Sequence, residues 1–130
     1  SDRWGGFDDG IYASIRLLEL ISQNDNNLVV LEDLPESITT PEINISFKEN
    51  KHFTFMDLFV KLAKFDNASI IDIDGLKIVY PDAWGLIRCS NTSSKIVLRF
   101  EADSKEAMAN IQSLIKKEML KVDSNLKLPF

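Results

Sequence analysis

The chain has 130 residues, of which 45 % are hydrophobic and 27 % are charged, a composition typical of globular proteins. Its formal net charge of -5 opposes general binding to nucleic acid or to an anionic membrane surface, because both repel an acidic protein. No apolar run approaches the ~18 residues of a membrane-spanning helix. The single cysteine excludes an internal disulfide and fits a cytoplasmic setting. We therefore expect neither nucleic acid nor a membrane as a partner.

The N-terminal part predicts an amphipathic helix over residues 9–24, capped by Asp8 or Asp9. Its apolar stripe is Ile11, Ile15, Leu18 and Ile21. Residues 28–34 are ambiguous between a short strand and a short helix, and we favour the helix because Pro35 follows closely. The chain starts abruptly, without Met and without a signal-peptide pattern, so we expect an excised fragment.

Residues 36–41 are typical of a linker and mark the expected boundary between two domains, 1–35 and 36–130. Beyond the linker, hydrophobic periodicity predicts a strand over 43–47 and a helix over 51–65 with Phe55, Phe59 and Leu62 on its buried stripe. Four short strands should then follow, over 69–73, 76–80, 84–88 and 95–102. Turns are expected at Asp74-Gly75 and at Pro81-Asp82.

The last helix should begin with Asp103 as its cap and Glu106 completing a capping box. Its expected buried stripe contains Ala107, Ile111, Leu114, Ile115, Met119 and Val122. A final extended tail, VDSNLKLPF, follows this helix. The order of elements predicts an α+β domain, with a mainly antiparallel sheet and helices on one face.

The strongest chemical signal is the polar segment 88–94 between two strand-like runs. The guanidinium of Arg88 matches a phosphate bidentately, and a tight turn of hydroxyl and amide side chains can form an anion nest. No nucleophile–base pair lies nearby, so the segment is expected to bind rather than react. The alternative is a hydrophilic hairpin loop with a solvated arginine.

Other candidates are weaker. Asp72 and Asp74 lack the further oxygens that a calcium loop needs, and the pair Asp8-Asp9 is better explained as a helix cap. The only histidine, His52, is expected to be exposed beside Lys51. Arginine and backbone amides beside Cys89 should lower the pKa of its thiol.

The segment DGLKIVYPDAWGLIRCSNTSSKIVLRFEAD, 74–103, resembles the C-terminal domain of the α-D-phosphohexomutases, and most of all the bacterial phosphomannomutase/phosphoglucomutase group. Its pattern Arg-x-Ser-Asn-Thr is followed by a strand Leu-Arg-Phe-Glu-Ala, 98–102. The segments RWGGFDDGIYASIRLLELIS and ITTPEINI also resemble that family. The sequence departs from the family pattern at Ser94, often a proline, and at Cys89, commonly a small residue.

The resemblance implies a TATA-binding-protein-like fourth domain over 36–130, preceded by a helical remnant of the third domain over 1–35. It implies that Arg88, Cys89 (through its amide), Ser90, Asn91 and Thr92 hold the phosphate of a hexose phosphate. The parent enzyme would be a cytoplasmic isomerase that interconverts hexose 1-phosphates and 6-phosphates. It would use Mg²⁺ and a bisphosphorylated hexose as intermediate or activator.

The resemblance also implies that the catalytic parts lie in upstream mutase domains. The phosphoserine loop, the Asp-rich Mg²⁺ loop and the sugar-binding motif Gly-Glu-Met-Ser-Gly-His do not occur in these 130 residues. We therefore expect no catalytic and no metal-ligating residue in this chain, and no activity of the fragment alone. The alternative is a stand-alone α+β binding module for a phosphorylated ligand or nucleic acid.

Overall fold

The computed structural model describes residues 5–23, 36–49 and 51–130. Within these ranges, none of the helices has the length and apolar character that crossing a bilayer requires. The chain divides into two compact units, Ser1–Glu36 and Ser37–Phe130. The ambiguous segment 28–34 lies outside the described residues.

The first unit contains helix α1, Gly10–Ser22. Asp9 caps it, because its Oδ1 accepts hydrogen bonds from the backbone N–H groups of Ile11 (3.0 Å) and Tyr12 (2.9 Å). Capping therefore explains the Asp8-Asp9 pair, as the sequence predicts. The apolar stripe of α1 is exposed, with Ile11 77 % accessible.

The second unit is built on one antiparallel six-stranded sheet. Its strands are β1 (Ile38–Thr39), β2 (Ile43–Ser46), β3 (Ser69–Ile71), β4 (Leu76–Val79), β5 (Ala83–Cys89) and β6 (Lys95–Ala102). The order across the sheet is β1-β6-β5-β4-β3, and β2 pairs with β6 alongside β1. This is the α+β architecture expected from the sequence.

The segment predicted as a linker, 36–41, contains a two-residue strand, Ile38–Thr39. Ile38 pairs with Ala102 and Thr39 with Glu101 to form β1. Thr40 adds two bonds, since its N–H donates to the Phe100 carbonyl at 3.0 Å and its Oγ1 accepts from the Phe100 N–H at 3.1 Å. A two-residue strand gives no periodic signal, which is why the sequence did not reveal it.

Helices α2 (Lys51–Leu62) and α3 (Lys105–Val122) contact each other and the same face of β5. Alternate strand residues supply that face because successive side chains point to opposite sides of a sheet. The fully buried members are Ile78, Ile87, Ile96, Leu98 and Phe100 from the strands and Phe59, Ile115 and Met119 from the helices. The other side of the sheet, called the open face here, carries Lys77, Trp84, Leu86, Arg88, Lys95 and Val97, none of them buried.

Two details of the helices differ from the predictions. Ser104, not Asp103, caps α3, and its side chain accepts a hydrogen bond from the Ala107 N–H at 3.1 Å. The Asp103 N–H instead donates to the Asp82 carbonyl, so the capping box with Glu106 is absent. In α2, Leu62 is 52 % exposed, because the helix ends there and its buried stripe runs through His52, Phe55, Met56 and Phe59.

Candidate functional site

The arginine of the predicted site is placed by strand alternation. Arg88 pairs with Val97 across the β5–β6 ladder, and Cys89 pairs with Ile96. Because neighbouring residues of a strand point to opposite sides, Arg88 projects from the open face while Cys89 projects toward the helices. β5 therefore places the charged side chain of Arg88 beside the loop that follows, residues 90–94.

The loop is organised around one hydroxyl. Ser90 Oγ accepts the backbone N–H groups of Ser93 (3.2 Å) and Thr92 (3.4 Å), and it lies 2.9 Å from Ser93 Oγ. Two backbone bonds close the loop, Ser90 N–H to the Lys95 carbonyl and Lys95 N–H to the Ser93 carbonyl. Thr92 Oγ1 lies 3.5 Å from Ser90 Oγ, so three hydroxyls lie close together. Hydroxyl groups can donate hydrogen bonds to an anion.

Arg88 has an acidic partner that the sequence did not suggest. Its Nη1 donates to Asp74 Oδ2 at 3.1 Å, and the two side chains are 44 % and 72 % exposed respectively. Asp74 was predicted only as a turn residue, and it does occupy the turn between β3 and β4. The contact spans 14 positions of sequence, and no local pattern marks it.

These groups meet in an open depression of about 460 Å³ on the open face. All five predicted site residues line it: Arg88, Cys89, Ser90, Asn91 and Thr92. Ser93, from the predicted segment 88–94, also lines it. Sequence reasoning missed the other five: Glu42, Asn44, Asp74, Lys95 and Val97. Arg88 and Lys95 are balanced by Glu42 and Asp74, so the walls carry no net charge. The depression therefore offers no surplus of positive charge, and its capacity to bind an anion would depend on the geometry of its donors.

Lys95 could have been found from strand pairing. It begins β6, two residues before Val97, which is the cross-strand partner of Arg88. Residues diagonal to each other on one face lie within reach of long side chains. The alternation of β6 was visible in the sequence, but the pairing register that joins Lys95 to Arg88 was not.

The expected activation of Cys89 is wrong. Burial, and to a lesser degree the carboxylate of Asp57, raises the pKa of the thiol. The thiol points toward α2 and lies 3.5 Å from the carbonyl oxygen of His52, to which it donates. Cys89 can therefore serve the depression only through its backbone.

The expectation for His52 is also wrong. The side chain is only 2 % exposed, because His52 stands one turn before Phe55 and Met56 on the inward face of α2. Its ring lies 4.0 Å from that of Phe53, and among the described residues its Nδ1 has no hydrogen-bond partner. It faces the core, away from the depression.

The described residues contain no group of three or more His, Cys, Asp or Glu side chains that is arranged to hold a metal ion. Asp72 and Asp74 in the β3–β4 turn do not form such a group. The Mg²⁺ that the family resemblance implies therefore has no ligand set in this part of the chain, and we assign it no residue here.

Comparison with known proteins gives a consistent result. Residues 42–118 match the family described as "Phosphoglucomutase/phosphomannomutase, C-terminal domain". The chain is 42 % identical over 130 residues to a phosphomannomutase/phosphoglucomutase of Pseudomonas aeruginosa, covering 99 % of this chain and 28 % of that protein. It is 52 % identical over 118 residues to a phosphoglucomutase of Neisseria gonorrhoeae, covering 88 % and 25 %.

A solved structure agrees with these sequence matches. A phosphoglucomutase/phosphomannomutase family protein from Burkholderia thailandensis superposes with a TM-score of 0.84 at 40 % identity. The match covers 100 % of this chain and 27 % of that one. The chain thus spans about a quarter of the length of the relatives it matches.

Proposed function

Because the chain belongs to the family of phosphoglucomutase/phosphomannomutase C-terminal domains, we propose that it is the substrate-phosphate-binding domain of a hexose-phosphate mutase. The parent enzyme interconverts hexose 1-phosphate and hexose 6-phosphate in the cytoplasm. Residues 36–130 form its fourth domain, and residues 1–35 are the end of its third. The observation that carries the proposal is the meeting of Arg88 with the hydroxyl cluster of the 90–94 loop in one depression.

The proposed role of each residue follows from its donors. Arg88 offers a planar fork that fits two phosphate oxygens, and this geometry is stronger and more directional than a single ammonium contact. Ser90, Asn91 and Thr92 supply hydroxyl and amide donors at the other side of the depression. The backbone of Cys89 completes the wall. These groups bind and orient a phosphate, and they carry out no bond making themselves.

Such a role has a clear place in the chemistry of a mutase. Phosphoryl transfer depends on holding the acceptor oxygen in line with the donor, so a grip on the substrate's other phosphate contributes positioning. The sugar must turn between two half-reactions through a bisphosphorylated hexose. One phosphate site then serves both substrate orientations. Mg²⁺ and the phosphoserine of the parent enzyme belong to upstream domains, which are the partners of this one.

The test is an NMR titration of the isotope-labelled chain with mannose 1-phosphate, glucose 1-phosphate and inorganic phosphate. We expect chemical-shift changes confined to residues 88–95 and a dissociation constant that is roughly millimolar, since one domain supplies only part of the closed site. Arg88→Ala should weaken binding at least tenfold. Arg99→Ala is the matched control, because Arg99 is exposed on β6 outside the depression.

Two outcomes contradict the proposal. Equal losses in the Arg88 and Arg99 variants indicate nonspecific attraction of anions to exposed arginines. No shift in the 88–95 region at tens of millimolar ligand indicates that the depression does not bind phosphate.

A further inference from the structure

The turn between β3 and β4 is held tightly against the strand that carries Arg88. Gly75 has φ +85°, and a Cβ placed there would lie 2.3 Å from the Ile87 carbonyl oxygen and 2.6 Å from Arg88 Cβ. Real Cβ atoms do not approach other atoms so closely, so the turn requires glycine at this position. The close approach of Gly75 to Ile87 and Arg88 therefore places the preceding residue, Asp74, beside Arg88.

The Asp74–Arg88 contact contributes little to folding stability. Both side chains are substantially exposed, and exposed ion pairs are screened by solvent and lose side-chain entropy when they form. A contribution to folding stability therefore does not explain why the β3–β4 turn places the carboxylate of Asp74 at this position. The remaining consequence of the contact is the orientation of the guanidinium.

The geometry leaves most of that guanidinium available. Asp74 takes a hydrogen bond from Nη1 alone, and among the described residues the Arg88 side chain donates to no other acceptor. A guanidinium carries five N–H donors in a rigid plane. When Nη1 is bonded to Asp74, rotation of the guanidinium plane is restricted, and its other donors are biased toward one orientation.

We propose that Asp74 is a positioning residue that holds the Arg88 guanidinium ready to receive a phosphate. This inference rests on the proposed function, because it assigns a role within the same phosphate site. Asp74 does not touch the phosphate itself. If Asp74 instead competed with the phosphate for Arg88, removing its carboxylate would raise the affinity for phosphate.

Two variants separate geometry from charge. Asp74→Asn and Asp74→Ala both remove one negative charge and raise the attraction of the site for an anion equally. Only asparagine keeps a side-chain oxygen that accepts the Arg88 hydrogen bond. Because the amide of asparagine also brings N–H donors, the difference in phosphate affinity between the two variants is read together with the Arg88 Nε–H signal, which reports the orientation of the guanidinium. Asp72→Ala is the control, because Asp72 is exposed in the same turn, whereas the ion pair of Arg88 is with Asp74.

The measurement is the titration with inorganic phosphate and mannose 1-phosphate, together with the Arg88 Nε–H resonance. We expect Asp74→Ala to bind about tenfold more weakly than Asp74→Asn, with Asp74→Asn at or above wild-type affinity. The Arg88 Nε–H signal should shift and broaden in Asp74→Ala and be restored in Asp74→Asn. Asp72→Ala should match the wild-type chain.

The inference and the proposed function fail in different ways. If the wild-type chain binds phosphate and the two variants Asp74→Ala and Asp74→Asn have equal affinities, only the inference is overturned. Equal tightening in both variants identifies a competing carboxylate and also overturns the positioning role. A wild-type chain that binds no phosphate overturns the proposed function, and the inference with it.

Discussion

The two faces of β5 use the same strand for different purposes. Ala83, Gly85 and Ile87 point toward the helices, and a Cβ at Gly85 would lie 2.4 Å from Cδ1 of Ile115, so α3 packs directly onto the strand backbone. Trp84 and Arg88 project from the open face, where Lys77 lies 4.0 Å from the centre of the Trp84 ring. One face is a close-packed core and the other a solvated platform that leads into the depression.

A small domain can in this way carry a candidate binding site without weakening its core. Because alternation separates the two faces residue by residue, Arg88 can be exposed while its neighbours Ile87 and Cys89 remain on the packed side. The stability of the domain and the phosphate binding proposed for it should therefore respond to different substitutions. The substitutions below test whether stability and phosphate binding depend on different faces of β5.

The largest expected effect is on the packed face. Ile87→Ala should lower the free energy of unfolding by about 2–5 kcal/mol, because it removes a fully buried side chain and leaves a cavity. Arg88→Ala, one residue further on, should change it by less than about 1 kcal/mol. Urea unfolding followed by circular dichroism measures both. Comparable losses in the two variants would assign Arg88 a structural role and remove the contrast between the faces.

A smaller effect is expected at the buried carboxylate of the packed side. Glu118 is 3 % exposed and accepts hydrogen bonds from the Lys64 backbone N–H and from the Lys121 side chain. Burial raises the pKa of Glu118, but the hydrogen bonds from Lys121 and Lys64 and the nearby lysine charges outweigh it and hold the pKa below its ordinary value of 4.5. The folded state thus favours the ionised form.

Glu118→Gln should therefore lower the free energy of unfolding by about 1–2 kcal/mol at pH 7. A group whose pKa is depressed by folding stabilises the protein above its unfolded pKa and loses that contribution as pH falls through the folded pKa. The gap between wild type and variant should narrow as pH falls below 4.5. Asp74→Asn, at the exposed pair of the open face, should show no comparable gap. A constant gap across pH argues that Glu118 acts through shape rather than charge.

The sequence was informative wherever structure follows from local periodicity. The alternation in residues 95–102 predicted β6 with its observed limits, and the polar run after Arg88 predicted the loop of the site. The buried stripe of α3 was largely correct because Ala107, Ile111, Ile115 and Met119 repeat at helical spacing. These features need only the physical chemistry of neighbouring residues.

What the sequence did not reveal depends on pairing between distant segments. Asp74 reaches Arg88 only because the β3–β4 turn folds back onto β5. Lys95 and Asn44 join the depression through the register of β6 with β2 and β5. The prediction that His52 is exposed rested on its charged neighbour Lys51. The helical face that His52 shares with Phe55 is what buries it. In each case the missing information was a contact partner.

The smallest expected effect concerns Lys95, the second cation of the depression. Lys95→Gln should weaken phosphate binding about threefold at low salt, less than Arg88→Ala, because an ammonium acts as a mobile point charge and not as an oriented fork. The difference from wild type should shrink as ionic strength rises, since salt screens exposed charges. Lys77→Gln is the matched control, because Lys77 lies over Trp84 on the same open face but outside the depression. If both lysine variants lose phosphate affinity equally, and in a salt-dependent way, the whole open face attracts anions. The depression would then not be a distinct binding site.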